Sequence, residues 1–358
     1  MLLKGLSNFN TTCFQNKQRT LNHHDSNYKL ELLLLWSPLF IQNPNLVVDE
    51  FSAHSSFCLQ SFSPHAKDGT IFTREFLADQ SDLFIYADAA RNAQATAQVI
   101  AVRDYLRTID GFKSVTIRLR ETNLGVDDNV IDGVTEVINM RGNAIVLEDD
   151  LVTSRWFLTY MNDSLNHYQE QDEVASIHGY LLPIVKTDAN SFFLKGADCW
   201  GWGTWKRAWD LFEADGNLLL EQLQAKHLEQ AFDFNNSYPY TKALKDQAAG
   251  RTKCWDIRWY ATAFLANKLT LHPGQSMVKN IGHDNSGTHC GDTQSYDVVL
   301  ATEPLSIKVP VVHNLEAYNA FADFFRTLPK EVEARPKSWL SKSFKKTKAL
   351  IIKPNTAS

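Results

Sequence analysis

The hydrophobic pattern is clearest between residues 75 and 170, where short apolar runs alternate with longer segments of helical spacing. Residues 82–87 and 143–147 are almost wholly apolar, which is typical of strands buried on both faces. Residues 115–119 alternate between apolar and polar side chains and also predict a strand. Helical spacing of apolar residues occurs in three segments: residues 93–108, 128–140 and 157–168.

This order of strands and helices predicts an α/β fold whose mostly parallel sheet is flanked by helices and joined by right-handed crossovers. Ligands of such sheets bind beyond the carboxyl ends of the strands. Asp88 directly follows the predicted strand at 82–87, and the triplet Glu148-Asp149-Asp150 directly follows the predicted strand at 143–147. We therefore expect these acids to lie in one cleft.

The flanking sequence lacks this pattern, and three regions are predicted: a divergent or poorly ordered segment over 1–70, a single catalytic domain over 71–315 and a basic tail over 316–358. Within the first region, residues 46–48 favour a short strand. The longest apolar run, residues 32–41, contains Ser37 and Pro38 and is too short for a membrane span, which needs roughly 20 residues. We therefore expect a cytoplasmic protein.

The tail combines positive charge with apolar side chains. Between residues 335 and 353 there are seven Lys or Arg and no acid. Trp339, Leu340 and Phe344 fall near one face of a short helix, which predicts peripheral contact with the anionic inner face of the cytoplasmic membrane. A solvated, disordered tail explains the composition equally well.

Composition excludes several classes of protein. With 44% hydrophobic and 22% charged residues, the chain has an ordinary globular balance, and its net charge of −5 gives no basic field for a nucleic-acid partner. The five cysteines are odd in number and form no Cys-x-x-Cys motif, which argues against a disulfide framework or structural zinc and fits a reducing compartment.

The acidic triplet is the strongest candidate for a metal site. Three adjacent carboxylates raise one another's pKa unless a cation neutralises them. Mn²⁺ or Mg²⁺ would do so, with waters and substrate phosphates as further ligands. In an extended segment Glu148 and Asp150 point one way and Asp149 the other, so one triplet serves both metal and sugar. The alternative is a helix N-terminus, which also favours acids.

Asp256 is the candidate general base. It lies among aromatic residues in the segment Cys254-Trp-Asp-Ile-Arg-Trp259, near the predicted start of a helix. A carboxylate in such a place can take a proton from a sugar hydroxyl. A salt bridge with Arg258 and a helix cap are the alternatives.

Two further segments suggest ligand contacts. The loop after Asn280 carries His283, Asp284 and His289, and a mobile loop of this kind can close over a diphosphate, although an ordinary surface turn fits equally. Four tryptophans form a candidate sugar platform: Trp200, Trp202, Trp205 and Trp209. At least two of them are expected in the core, because positions 205, 209 and 212 share a helical face.

These segments together resemble the GT-A-fold glycosyltransferases, most nearly a bacterial group related to the N-acetylglucosaminyltransferase I type. The resemblance extends from about Leu77 to Cys290. It rests on six motifs: Tyr86-Ala-Asp88, Asn123-Leu-Gly125, Ile145-Val-Leu-Glu-Asp-Asp-Leu151, Gly196 with Trp200-Gly-Trp-Gly-Thr-Trp205, Trp255-Asp-Ile-Arg-Trp259 and Asn280-Ile-Gly-His283.

The resemblance implies a role for each motif. Asp150 would be the direct metal ligand, and Glu148 and Asp149 would contact the donor's sugar and ribose. Asp88 would recognise the base of a uridine donor, and Asp256 would be the catalytic base of an inverting enzyme. The remaining positions implied at the donor are Asn123, Gly125, Trp202 and His283.

The chain departs from the family pattern in two places. The Asn-Arg-Pro-like turn after the first strand has no counterpart in residues 1–70, where Ser63-Pro-His is nearest, and Ala89-Ala90 replaces Gly-Pro. The hypothesis is transfer of a sugar from a nucleotide sugar to a saccharide or glycolipid acceptor. A catalytically impaired nucleotide-sugar binder is the alternative. A two-metal phosphoesterase is a third, but the sequence lacks a convincing second His and Asp cluster.

Overall fold

The computed structural model describes the backbone of residues 31–36 and the residues 77–184, 191–283 and 293–329. The strand predicted at 46–48, the tail segment 335–353, and Asp284 and His289 lie outside these ranges. No helix within the described ranges is both long enough and apolar enough to cross a bilayer.

One sheet organises the described residues. Its strands are β1 (Glu31–Trp36), β2 (Asp82–Ala87), β3 (Ser114–Leu119), β4 (Asn143–Glu148), β6 (Val174–His178), β7 (Phe192–Lys195), β8 (Trp202–Trp205) and β9 (Leu269–His272), in the order β3-β2-β1-β4-β8-β6-β9-β7. β7 and β8 run against their neighbours, and the other strands share one direction. The mostly parallel α/β sheet that the sequence predicts is therefore confirmed. A separate ribbon pairs β5 (Leu151–Thr153) with β10 (Val278–Asn280).

Helices cover both faces of the sheet. They are α1 (Thr96–Leu106), α2 (Gly125–Arg141), α3 (Phe157–His167), α4 (Lys206–Trp209), α5 (Gly216–Ala225), α6 (Glu229–Phe232), α7 (Tyr240–Ala248), α8 (Trp255–Leu265) and α9 (Leu315–Thr327). Alternate residues of the central strands enter opposite cores: Leu83 and Ile85 of β2 enter one, and Phe84 and Tyr86 enter the other. Burial on both faces explains why β2 and β4 have nearly continuous apolar sequences.

The central strand β1 comes from the region in which the sequence pattern predicts little structure. It lies between β2 and β4, with Leu35 level with Tyr86 on one side and with Glu148 on the other. Most of its sequence belongs to the apolar run 32–41, which is too short for a membrane span but long enough for a strand. The sheet thus extends the domain N-terminally beyond the predicted boundary at residue 71.

The C-terminal boundary also moves. Helix α9 begins at Leu315, and Phe321 and Phe325 on its inner face are buried in the same core as β7 and β9. Asn314 caps this helix by accepting a hydrogen bond from the Ala317 backbone N–H. Residues 316–327, predicted as the start of the tail, therefore belong to the domain.

The tryptophan-rich segment forms a strand followed by one helical turn, so Trp205 and Trp209 do not share the helical face that their spacing predicts. Trp205 ends β8 and packs in one core, whereas Trp209 ends α4 and packs in the other. Gly201 and Gly203 weaken a helix at this point, and pairing with β4 and β6 stabilises the strand. The expectation that at least two tryptophans are buried is confirmed.

Gly196, just after β7, meets the ring of Tyr260 on α8. Its φ is +105°, and a Cβ at this position would lie 2.3 Å from Tyr260 Cε2. Gly142 provides a comparison, because its φ is +89° but a Cβ there would meet nothing within 4 Å.

We predict that Gly196→Ala destabilises the protein more than Gly142→Ala. Both changes strain a left-handed backbone at about 1–2 kcal/mol, and only the first adds overpacking, which costs about 1–3 kcal/mol more. Urea unfolding of both variants measures the difference. Equal losses would mean that the Tyr260 ring moves aside freely.

Candidate active site

The acidic triplet forms the end of a strand and a turn. Glu148 is the last residue of β4, and Asp149 and Asp150 turn the chain into β5. Strand geometry therefore ends at Glu148. The alternation of side-chain directions predicted for an extended segment does not apply to Asp149 and Asp150. The helix N-terminus alternative is wrong, because α3 begins only at Phe157.

The segment after β10 holds Asp150 in place. The Ile281 N–H donates to the Asp150 carbonyl at 2.8 Å, and Asn280 Nδ2 donates to Asp150 Oδ2 at 3.3 Å. A Cβ at Gly282 would lie 2.5 Å from the same Oδ2, so a glycine there leaves room for the carboxylate. His283 follows directly and lines a cavity, which places the acidic turn beside that cavity.

Asp256 lies in the first turn of α8 and also lines the cavity. The predicted alternative of a salt bridge with Arg258 is wrong. Arg258 Nη2 donates instead to Asp127 Oδ2 at 2.8 Å, in a pair that is almost fully buried. Asp256 accepts from two thiols: Cys254 Sγ contacts Oδ1 at 2.6 Å and Cys199 Sγ contacts Oδ2 at 3.7 Å. An acid in this position also interacts favourably with the helix dipole.

Like charges converge on this region from three elements. Burial raises the pKa of Glu148 well above its usual range, and the negative charges of Asp150 and Asp256 raise it further. Burial likewise raises the pKa of Asp127, while Arg258 opposes the shift. The carboxylates at the end of β4 and at the starts of α2 and α8 therefore act on one another. This arrangement attracts a cation or a proton-donating ligand.

Asp88 organises the neighbouring loop. Its Oδ1 accepts from the backbone N–H groups of Ala89 and Leu124 at 2.8 and 2.9 Å. Its Oδ2 accepts from Asn123 Nδ2 and the Gly125 N–H at 2.9 and 2.8 Å. The structure thus brings Asp88, Asn123 and Gly125 together. The four hydrogen bonds give Asp88 a structural role at the start of α2 and occupy the acceptor positions that a carboxylate offers.

Trp202 does not face a ligand site. It is fully buried, and its ring contacts Trp255, Trp209 and Trp259 at centroid distances of 5.5, 5.7 and 5.9 Å. This burial contradicts the implied contact with a donor. The tryptophan that lines the cavity is Trp200.

The cavity has a volume of about 390 Å³, and rings make up much of its wall. Tyr180 and Tyr296 contact Trp200 edge-on, and His283 stacks on Tyr296 with centroids 4.9 Å apart. The polar lining includes Asp198, Cys199, Asp256, His272 and His283. An apolar pocket with a few convergent polar groups is the usual form of a small-molecule site.

Sequence reasoning missed Asp198 and the two histidines behind it. Asp198 Oδ2 lies 3.7 Å from His178 Nδ1, which lies 3.3 Å from His272 Nδ1. Burial lowers the pKa of His178 to about 3, so this ring is neutral. Asp198 stands two residues before Trp200, between Gly196 and the tryptophan-rich segment, but the histidines come from β6 and β9 and carry no local signal.

The residues at the acidic turn fit a divalent ion in a limited way. Across the described ranges, no group of three or more His, Cys, Asp or Glu is arranged to hold a metal. Asp150 offers hard oxygen ligands, and the absence of a side chain at Gly282 leaves space beside its Oδ2. Mg²⁺ or Mn²⁺ often binds through one or two carboxylates plus substrate phosphates. The site is therefore compatible with an ion that a phosphate ligand helps to hold.

Comparison with known proteins gives no family assignment. No protein-family model matches the chain, and no curated protein matches it. Among solved structures, UDP-glucose pyrophosphorylase from Acinetobacter baumanii is similar with a TM-score of 0.36 and 10% identity, over 72% of this chain and 90% of that chain. A likeness of this size assigns neither a family nor an activity.

We predict that Glu148→Gln stabilises the metal-free protein at pH 8. A glutamate in the unfolded chain has a pKa of about 4.3, and each unit by which the folded pKa exceeds it is worth about 1.4 kcal/mol. Because the folded state holds this proton more tightly, the wild type loses stability as pH rises from the unfolded pKa towards the folded one. The glutamine variant escapes this loss.

Urea unfolding in EDTA at pH 4.5 and pH 8 measures the effect, and the gain should shrink towards the lower pH. Glu136→Gln is the control, since Glu136 pairs with Arg118 at the surface and its removal offers no such gain. A Glu148→Gln variant no more stable than wild type at pH 8 would contradict the charge crowding.

Proposed function

We propose that this protein is a metal-dependent, inverting glycosyltransferase that moves a sugar from a nucleotide sugar, a UDP-sugar by the family resemblance, to a saccharide or glycolipid acceptor. The observation that carries the proposal is the meeting of two candidate groups at one place. Asp256 lines an aromatic cavity, and its charge acts on Glu148 of the acidic turn. A general base far from the turn proposed to hold the metal and the donor diphosphate could not serve this reaction, whereas a base beside that turn could.

Asp256 is the general base in this proposal. An acceptor hydroxyl in the cavity would lose its proton to the Asp256 carboxylate as its oxygen bonds to the anomeric carbon. The bond between that carbon and the diphosphate breaks at the same time, which inverts the configuration. The electron pair of the broken bond leaves with the nucleoside diphosphate.

Asp150 would hold Mn²⁺ or Mg²⁺ together with the donor diphosphate, and Glu148 and Asp149 would contact the sugar and ribose. When bound, the ion supplies positive charge that stabilises the departing diphosphate. The hydrogen bonds from Asn280 and Ile281 keep Asp150 fixed before a ligand arrives. Preorganisation of this kind lowers the cost of binding.

The cavity would take the acceptor. Rings such as Trp200, Tyr296 and Tyr240 line it and would cover the apolar face of a sugar, while Asp198 would accept from a hydroxyl. If the acceptor is lipid-linked, peripheral attachment of the segment 335–353 would keep the enzyme near it. That attachment stays a prediction.

The alternative is a nucleotide-sugar binder without catalysis. The hydrogen bonding of Asp88 favours it, because both oxygens are engaged by the chain and have little capacity left for a base. The presence of Asp256 in the cavity wall favours the enzyme. A direct assay separates the two.

The assay incubates the protein with Mn²⁺ and a panel of nucleotide sugars, and measures nucleotide release with and without saccharide acceptors. We expect release of UDP from at least one UDP-sugar, and Asp256→Asn should lower kcat by about 10²–10⁴-fold with little change in donor affinity. Asp210→Asn, which changes an exposed acid paired with Lys206, is the control and should keep full turnover.

Three other outcomes are informative. Donor binding without turnover would identify the binder. Phosphate release without glycosyl transfer would identify a phosphoesterase. An Asp256→Asn variant with full turnover would show that Asp256 serves α8 and not catalysis.

We further predict that Asp150→Asn abolishes the Mn²⁺-dependent part of donor binding. The change removes one negative charge from the turn and leaves the hydrogen bond from Asn280 with an acceptor of the same shape. Isothermal titration with the donor, with Mn²⁺ and with EDTA, measures it. Undiminished affinity in Mn²⁺ would exclude Asp150 as the ligand, and Asp132→Asn on the exposed side of α2 serves as the matched control.

A further inference from the structure

Two thiols from separate elements meet on one carboxylate. Cys254 is the residue before α8 and approaches Asp256 Oδ1, whereas Cys199 lies between β7 and β8 and approaches Oδ2. Each oxygen of Asp256 therefore has its own thiol neighbour. Neither cysteine forms a disulfide.

The position of Cys254 is unusual for its residue type. It is the N-cap of α8, where Ser, Thr, Asp or Asn normally accepts a backbone hydrogen bond. Cys254 makes no side-chain cap bond to the helix. Its thiol is directed to Asp256, two residues ahead.

Cys199 is held by its neighbours on both sides. Its backbone N–H donates to Asp198 Oδ1 at 2.8 Å. Trp200, the next residue, packs edge-on against Tyr180 and Tyr296 with centroids 4.7 and 5.7 Å apart. The thiol therefore approaches Asp256 from a segment fixed in the cavity wall.

Both thiols keep their protons and so act as donors. Burial raises the pKa of Cys254, and the charge of Asp256 raises it further. Burial also raises the pKa of Cys199, and the charges of Asp256, Asp198 and Glu148 add to the shift. A thiol has one S–H to donate: that of Cys254 is next to Asp256 Oδ1, whereas that of Cys199 has two carboxylates beside it, Asp256 and Asp198.

We infer that Cys254 and Cys199 are positioning residues, a thiol clamp that fixes the orientation of the Asp256 carboxylate at the cavity wall. This inference rests on the proposed role of Asp256 as the base. A thiol is a weak donor, and one on each oxygen restricts rotation of the carboxylate. Two thiols leave about two of the four acceptor positions of a carboxylate for the acceptor hydroxyl.

The contact itself is tested without any enzyme assay. Each cysteine is alkylated with iodoacetamide, and the rate at each site is followed by peptide mass spectrometry in wild type, Asp256→Asn and the control Asp210→Asn. Because the thiolate is the reactive form, removing the Asp256 charge should speed alkylation of Cys254 and Cys199 by about tenfold, the effect of one pKa unit. The control should match wild type.

The other three cysteines, Cys13, Cys58 and Cys290, are followed in the same samples as an internal comparison of alkylation rates. Faster alkylation confined to Cys254 and Cys199 supports the clamp. Unchanged rates at both sites overturn it, and a rise at all five sites is resolved by repeating the measurement with Asp256→Glu, which keeps the charge and should restore slow alkylation.

The positioning role is tested by kinetics. Cys254→Ala should lower kcat by about 10- to 100-fold, the effect of misplacing a catalytic group, with the donor KM within about twofold of wild type. Cys254→Ser restores a donor and should recover most of kcat. A Cys254→Ala variant with wild-type kcat overturns the role, as does a loss that serine fails to recover.

The two proposals fail separately. If wild type releases no nucleotide from any donor, the transferase proposal fails, and the alkylation rates still decide whether the thiols hold Asp256. If wild type is active and Asp256→Asn leaves the alkylation rates of Cys254 and Cys199 unchanged, the clamp proposal fails and the transferase proposal stands.

Discussion

Repulsion between carboxylates at the carboxyl edge of the sheet is the constraint on which the rest of the structure depends. Glu148 and Asp150 lie at the end of β4, Asp127 in the first turn of α2 and Asp256 in the first turn of α8, and their charges act on one another. The buried pair of Arg258 with Asp127 offsets part of this repulsion. Packing elsewhere must hold the remaining acids together, because they would otherwise move apart or take up protons.

The aromatic core beneath α8 supplies much of that packing. Trp255 and Trp259 lie on the buried side of the helix and contact Trp202 of β8, and Trp259 also contacts Trp209. Large rings that interlock in this way leave little freedom for rotation of the helix. The first turn of α8, with Asp256, is therefore fixed relative to the strand that ends at Glu148. The tryptophans therefore stabilise the geometry of the site by packing behind it.

Much of the parallel half of the fold was predictable from the sequence, because buried strands and helices have distinct periods. The runs 82–87 and 143–147 gave β2 and β4 almost to the residue, and the acids at their ends fell at one edge. The strand β1 was not predictable, because a lone apolar run among irregular sequence fits several structures. Trp202 was misassigned because motif position says nothing about which face of a strand is buried. Asp198 and the histidines behind it meet only through pairing of distant strands, which no local pattern encodes.

The place of β1 has a practical consequence for work with fragments. The strand is six residues long and lies between β2 and β4, and about 45 residues separate it from β2 along the chain. A fragment that starts near residue 77, where the resemblance to transferases begins, would leave the facing edges of β2 and β4 unpaired in the middle of the sheet. Open apolar edges invite pairing between chains, so such a fragment is expected to aggregate. Expression of this protein should keep residues 31–36 attached.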